Sequence, residues 1–219
     1  MRVACSFLLV LSVLSSIAAA AVSDPDALVA ALQQRYASVE TVSGSFQQTY
    51  RAPGIRQIES GVFRMKRPGL MRWEYRLPEE KLFIADGREV FLYSPRDRQV
   101  TVQPFSASDM HGTPLEFLLG GADIRKTFSV SWESRTKPTA EQTAVVRLKP
   151  RAVRGEYEYL VLEIDTKTSD LRRIVIHEHG GNTSEFLLTD LILNGKMENK
   201  EFRFKPPKGV EVVRMDSVE

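Results

Sequence analysis

Few residues in this chain have the makings of chemistry. Of its three histidines, His177 and His179 flank Glu178. In a strand, residues i and i+2 share a face, a spacing that suits a metal ion. Glu178 then faces away, and His111 falls in a separate apolar segment. A surface strand ahead of the Gly180-Gly181 turn is the plainer account. Serines and aspartates are plentiful, yet no nucleophile elbow or phosphate-cradling loop appears, and Gly120-Gly121 lacks a following Lys-Ser. Cys5, the single cysteine, stands in front of an apolar run near the start. These residues predict no enzyme, no metal site and no cofactor.

The apolar residues say more. Phe63 and Met65 alternate with Arg64 and Lys66. Beyond a Pro68-Gly69 turn, Met71, Trp73 and Tyr75 share a face opposite Arg72, Glu74 and Arg76, and Phe46 lies on an earlier alternating run. If the period persists to the turn, Arg67 joins the Phe63 and Met65 face. An arginine in an apolar hollow is costly unless paired, and its fork of donors suits the carbonyls at a helix C-terminus. A solvated strand-end arginine fits the same residues. A second apolar group, Leu115, Phe117, Leu118 and Leu119, follows Thr113-Pro114 and reads as a short helix. It is either a permanent core element or a lid, and periodicity does not choose between them.

The surrounding elements must position these side chains. Arg2, the apolar run Phe7 to Ile17 and the small residues Ala18 to Ala21 read as an export signal over residues 1–21, leaving a single mature domain, 22–219. Removing the signal also removes Cys5, so the mature chain holds no thiol. A helix is expected from Asp24 or Asp26 onward, with Leu28, Ala31, Leu32 and Tyr36 on its apolar stripe. From Val42 the period changes to two, and short turns join the runs Lys81–Ala85, Glu89–Tyr93 and Gln99–Gln103. Five more follow: Phe128–Glu133, Ala144–Lys149, Tyr157–Asp165, Leu171–His179 and Thr183–Leu193. About ten or eleven antiparallel strands in one domain must curl, because sheets twist and wide flat ones are rare. Such a barrel is too wide for its own side chains to fill, so it encloses a cavity or is plugged by the helices. Lys+Arg 30 against Asp+Glu 28 gives a net charge of +2 with the signs interspersed, so nucleic acid is not indicated.

The stretch Lys66 to Tyr75, KRPGLMRWEY, resembles the LolA family of periplasmic lipoprotein carriers. Further blocks agree in order: Gly44-Ser45-Phe46-Gln47-Gln48, Leu92-Tyr93-Ser94-Pro95, Thr113-Pro114 with Leu118-Leu119, Gly181-Asn182-Thr183, and Phe202-Arg203-Phe204 before Pro206-Pro207-Lys208-Gly209. The resemblance implies a mainly β fold: a single-domain, open antiparallel barrel of about eleven strands covered by about three short α-helices. It also implies a monomer in the periplasm that takes acylated lipoproteins from an inner-membrane ABC transporter and hands them to the outer-membrane receptor LolB. That receptor is anchored by a lipidated cysteine after its signal, and this chain has none at that point. The family's matching arginine makes Arg67 the lid latch. Phe46, Phe63, Met65, Met71, Trp73, Leu115, Phe117, Leu118 and Leu119 become the candidate cavity and lid residues. Arg64, Arg72 and Glu116 depart from the family's pattern and leave transporter specificity open. A relative that carries or senses another acylated lipid or glycolipid is the alternative reading.

Overall fold

The computed structural model describes residues 24–105, 123–152 and 157–215. Its first element is α1, Pro25–Ala37. Asp24 caps the helix, accepting the Asp26 backbone N–H at 3.0 Å, and Pro25 fills the first turn, where a missing N–H costs nothing. Leu28, Val29, Leu32 and Tyr36 form the buried face. Val29, rather than the smaller Ala31, is fully buried beside the others; a stripe this wide accommodates either position, and the larger side chain takes the dry side.

Twelve strands follow in one sheet. They are β1 (Thr41–Ala52), β2 (Ile55–Lys66), β3 (Leu70–Leu77), β4 (Lys81–Asp86), β5 (Glu89–Ser94), β6 (Gln99–Pro104), β7 (Phe128–Trp132), β8 (Thr143–Pro150), β9 (Tyr157–Asp165), β10 (Leu171–Glu178), β11 (Thr183–Leu193) and β12 (Glu211–Arg214). A one-turn helix, α2 (Ile124–Thr127), leads into β7, and a 3-10 turn at Asn199–Phe202 precedes β12. The order across the sheet is β12-β6-β5-β4-β3-β2-β1-β11-β10-β9-β8-β7. Pairing of β1 with β11 joins two antiparallel meanders, and the edges β12 and β7 do not meet.

Two details differ from the sequence expectation. The twelfth strand is β12, which runs parallel to β6 with Glu211 opposite Gln99 and Arg214 opposite Val102. Four residues reading Glu-Val-Val-Arg are too few to show a period, and their partner lies far back in the chain. Among the described residues, the α-helices are α1 and the short α2. The helix expected around Thr113 to Leu119, with its candidates Leu115, Phe117, Leu118 and Leu119, lies outside the described residues.

The sheet curls around α1. One hydrophobic cluster contains Leu32 and Tyr36 of α1, Met65 and Trp73 of β2 and β3, and Leu148 and Leu160 of β8 and β9. In a flat sheet β2 and β8 would lie five spacings of roughly 4.8 Å apart. Where β2 meets β3, the register slips between Ser60 and Gly61, and a Cβ on Gly61 would sit 1.9 Å from the Glu74 carbonyl oxygen. Only glycine permits that approach.

The convex face is covered at both wings. On one, Phe204 sets its ring 5.6 Å from Phe91 and 5.4 Å from Tyr93, above Ile84, Val100 and Val102. Lys66 Nζ donates to the Met197 carbonyl at 3.0 Å and Arg72 to that of Glu201 at 3.2 Å, holding the C-terminal segment there. On the other wing, Glu163 accepts from the Thr139 N–H at 2.7 Å and the Thr143 hydroxyl at 2.6 Å, and Arg173 donates to the Lys137 carbonyl at 2.8 Å. Those bonds tie residues 137–139 to the face that carries Val145, Val161 and Val175.

Candidate functional site

Strand alternation sorts the inward side chains into rows across β1 to β5. The first row is Val42, Met65, Met71 and Ala85. The next is Gly44, Phe63, Trp73, Phe83 and Leu92, followed by Phe46, Gly61, Tyr75 and Lys81. Gln48 and Glu59 face each other one step further out. Five candidates from the sequence, Phe46, Phe63, Met65, Met71 and Trp73, are therefore neighbours on one apolar wall, each at most 4% exposed.

The wall is aromatic at its centre. Trp73 stacks on Phe63 with ring centroids 4.8 Å apart and meets Phe46 edge-on at 4.8 Å. Phe186 of β11 approaches Trp73 at 5.9 Å, and Phe46 meets Tyr75 at 5.0 Å. Rings so arranged gain quadrupole attraction beyond their buried area. The Trp73 Nε1–H is buried without a hydrogen-bond partner among the described residues. Burial leaves the wall far from uniform: Met65 is sealed, whereas Leu92, on the Trp73 row, is 50% exposed.

Arg67 lies between this wall and α1. Its backbone N–H donates to the Glu40 carbonyl at 3.0 Å, fixing the residue beneath the helix end. From there one guanidinium nitrogen donates to the Tyr36 carbonyl at 2.9 Å and another to that of Ala37 at 3.2 Å. These are last-turn carbonyls at the negative end of the helix dipole, where a cation is favoured. Nε is buried and unpartnered. The Tyr36 hydroxyl accepts the Leu171 N–H of β10 at 3.3 Å, so α1 is held on both sides of the hollow. Burial pushes the Tyr36 phenol up to about 12, against the pull of that hydrogen bond.

The structure assembles residues that the sequence does not single out. Phe186 joins the wall only because β1 and β11 shift register between Ser43 and Ser45, a bulge that no local pattern announces. Gln48, Glu59 and Lys81 look like ordinary polar strand residues in the sequence. His177 lies on the convex side, its ring stacked on Tyr159 at 4.1 Å, with the Arg147 guanidinium 4.3 Å from the same Tyr159 ring. Burial and then Arg147 lower its pKa. Among the described residues no three metal-ligating side chains come together.

The sheet is open, wrapped on a helix and apolar within. The sequence pattern described as "Outer membrane lipoprotein carrier protein LolA" matches residues 37–205. The chain belongs to the LolA family. A relative from Bordetella pertussis, an outer-membrane lipoprotein carrier protein, is 32% identical over 82% of each chain. One of the same description from Legionella pneumophila is 30% identical over 84% of this chain and 88% of its own. Among solved structures, an uncharacterized conserved protein from Thermus thermophilus superposes with a TM-score of 0.54 at 12% identity. It covers 87% of this chain and 98% of that one, which supports the shared fold alone. The LolA-family match begins at the end of α1 and takes in Arg67 and all five wall residues.

Proposed function

We propose that this chain is a periplasmic lipoprotein carrier: it shelters the acyl chains of lipoproteins released by an inner-membrane ABC transporter and delivers them to an outer-membrane receptor of the LolB kind. Residues 1–21 act as the export signal, and residues 22–219 are the carrier. The observation that carries this reading is the aromatic wall from Met65 to Phe46 inside an open sheet, in a chain whose relatives are named for this cargo.

The energetics set the task. Each methylene moved from an apolar phase into water costs about 0.8 kcal/mol, so two lipid chains already anchor a protein stably to a bilayer. A carrier replaces the bilayer with apolar protein surface. It must also let go. Contacts between α1 and the wall supply that balance: loading breaks them, and unloading restores them. Arg67 is the latch, because it grips the α1 carbonyls without a carboxylate partner among the described residues. No covalent step is involved, and wall residues act by excluding water.

Reconstitution tests this directly. Purified carrier is loaded with a triacylated lipoprotein, and transfer to acceptor liposomes bearing the receptor is followed. Wild type is expected to carry cargo through an aqueous gap, whereas Arg67→Leu stays folded and loads but transfers at least several-fold less. A wild-type chain that retains no acylated protein overturns the carrier reading. Normal transfer by Arg67→Leu overturns the latch.

A further inference from the structure

The concave face changes character along β1. Up to Phe46 it is hydrocarbon and aromatic; at Gln48 and Glu59 it turns polar toward β4, while Phe186 keeps the β11 side apolar. Four side chains make the step. Tyr75 donates its hydroxyl to Gln48 Oε1 at 3.0 Å, and Lys81 sits directly across from Tyr75 with its ammonium 4.7 Å from the ring centroid. Lys81 is also ion-paired to Glu59, which is only 8% exposed and lies opposite Gln48. Gln57 steadies the same carboxylate, its amide nitrogen donating to Glu59 at 3.0 Å.

Buried polar groups beside an apolar wall are expensive unless each is satisfied. Here several donors are left over. Glu59 takes both Lys81 and Gln57 on the one oxygen Oε1, and the Gln48 carbonyl takes Tyr75. An ammonium has three donors and a primary amide two. Lys81 spends one on Glu59, and the Gln48 amide nitrogen takes no partner among the described residues. The step is a set of fixed donors just outside a hydrocarbon wall. Its charges cancel, Lys81 against Glu59, so it suits a neutral acceptor better than a phosphate.

We propose that Gln48 and Lys81, held in place by Tyr75 and Glu59, hydrogen-bond the ester carbonyls that join the cargo's acyl chains to its glyceryl group. The chains then run inward over Phe46 and Trp73 toward Met65. An ester is acceptor-only, matching unspent donors, and it sits where hydrocarbon ends, matching the polar step. The step thus sets how deep the chains enter. This assignment rests on the carrier reading and names the subsite within it.

Two synthetic lipopeptides of equal chain length separate the two ideas: one with ester-linked chains, one with ether-linked chains that lack the carbonyls. Binding of each is measured by calorimetry to wild type, to Gln48→Leu, and to the double variant Lys81→Met with Glu59→Gln, which leaves no charge unpaired. Wild type is expected to prefer the ester by about five- to tenfold, the worth of one to two hydrogen bonds. Each variant is expected to lose that preference while keeping wild-type affinity for the ether. Equal ester and ether affinities in wild type overturn the proposal, as does a variant that weakens both ligands alike, which marks a structural role. If neither lipopeptide binds wild type, the carrier reading itself fails.

Discussion

Arg67 is half-buried and Arg173 buried, and they are held in opposite ways. Arg67 donates to two backbone carbonyls at the end of α1, at 2.9 and 3.2 Å. Arg173 is paired with Glu163 at 2.7 Å and Glu185 at 3.4 Å, and also donates to the Lys137 carbonyl. Glu163 is fully buried. A guanidinium on neutral carbonyls can exchange them for water when the helix lifts, and each side is left hydrated. Parting a buried ion pair strands a charge in a dry site. On the proposed reading, the Arg67 contact of the concave side can be released and the buried pair of the convex side cannot.

The largest expected effect is at the permanent tie. Arg173→Met leaves the buried Glu163 without a cation, while Glu185 keeps Arg51 at 3.0 Å, and is expected to cost about 3–5 kcal/mol of stability. The midpoint and slope of urea unfolding measure it. Adding Glu163→Gln to that variant is expected to recover part of the loss, since the stranded charge is gone. Arg67→Leu belongs lower on the scale, at about 1.5–3 kcal/mol for hydrogen bonds to a charged donor. Its loss is expected to be local: amide exchange quickens across α1 while β9 and β10 keep their protection. If Arg67→Leu unfolds the chain as readily as Arg173→Met, or deprotects β10, the contrast between the two sides is broken.

Acid sharpens the same contrast. Burial works to raise the Glu163 carboxyl, but hydrogen bonds from Thr143 and Thr139 and the charge of Arg173 outweigh it and hold its pKa below the ordinary value. Glu133 behaves alike: burial opposes, while the Arg135 N–H and then Arg147 win. A carboxyl with a folded pKa below its unfolded one stabilises fully above the unfolded value, about pH 4.3 for glutamate. That stability is lost as pH falls through the depressed folded value. The convex tie is therefore expected to weaken only below about pH 4.3. Among the described residues the Arg67 grip has no carboxylate partner, whereas α1 is also held by the Asp24 cap and by Arg35 paired with Asp170 at 3.0 Å, so it is the increment in last-turn exchange caused by Arg67→Leu that is expected to stay flat over the same range. Native-state exchange at stepped pH checks both. An Arg67→Leu increment that disappears on acidification sinks the assignment.

How much of this was legible in the sequence depends on whether the physics was local. Met71, Trp73 and Tyr75 share a face because alternation is a property of neighbouring residues, and the turn at Pro68-Gly69 places that strand against the Phe63 strand. α1 is legible from its Asp24 cap and apolar spacing. By contrast, the outer half of β2, Ile55 to Ser60, is mostly polar and exposed, so it shows no period and escapes notice as strand. It exists because β1 pairs with it residue by residue. The donors at Gln48 and Lys81, the buried pair Glu163 and Arg173, and the inward turn of Phe186 all come from register between distant segments. No window of sequence contains that register. Arg67 lies between these cases: its face follows from alternation, but its partners belong to a helix thirty residues earlier.

Tyr36 spans both sides of the comparison and carries the smallest expected effect. Its backbone carbonyl accepts from Arg67, and its hydroxyl accepts the Leu171 N–H of β10, in a side chain only 1% exposed. Tyr36→Phe keeps the ring and the Arg67 contact but leaves a buried N–H without an acceptor, a loss of about 1–2 kcal/mol. At 3.3 Å the bond is long, which places the expected cost near the lower figure. The useful readout is where that cost appears. If α1 lifts as a unit, losing the hydroxyl contact lowers the same opening barrier that Arg67 guards, so Tyr36→Phe and Arg67→Leu raise exchange over the same amides and their effects on α1 add. If β10 amides near Leu171 exchange faster while α1 does not, Tyr36 is part of the permanent wall, and the releasable side begins only at Arg67.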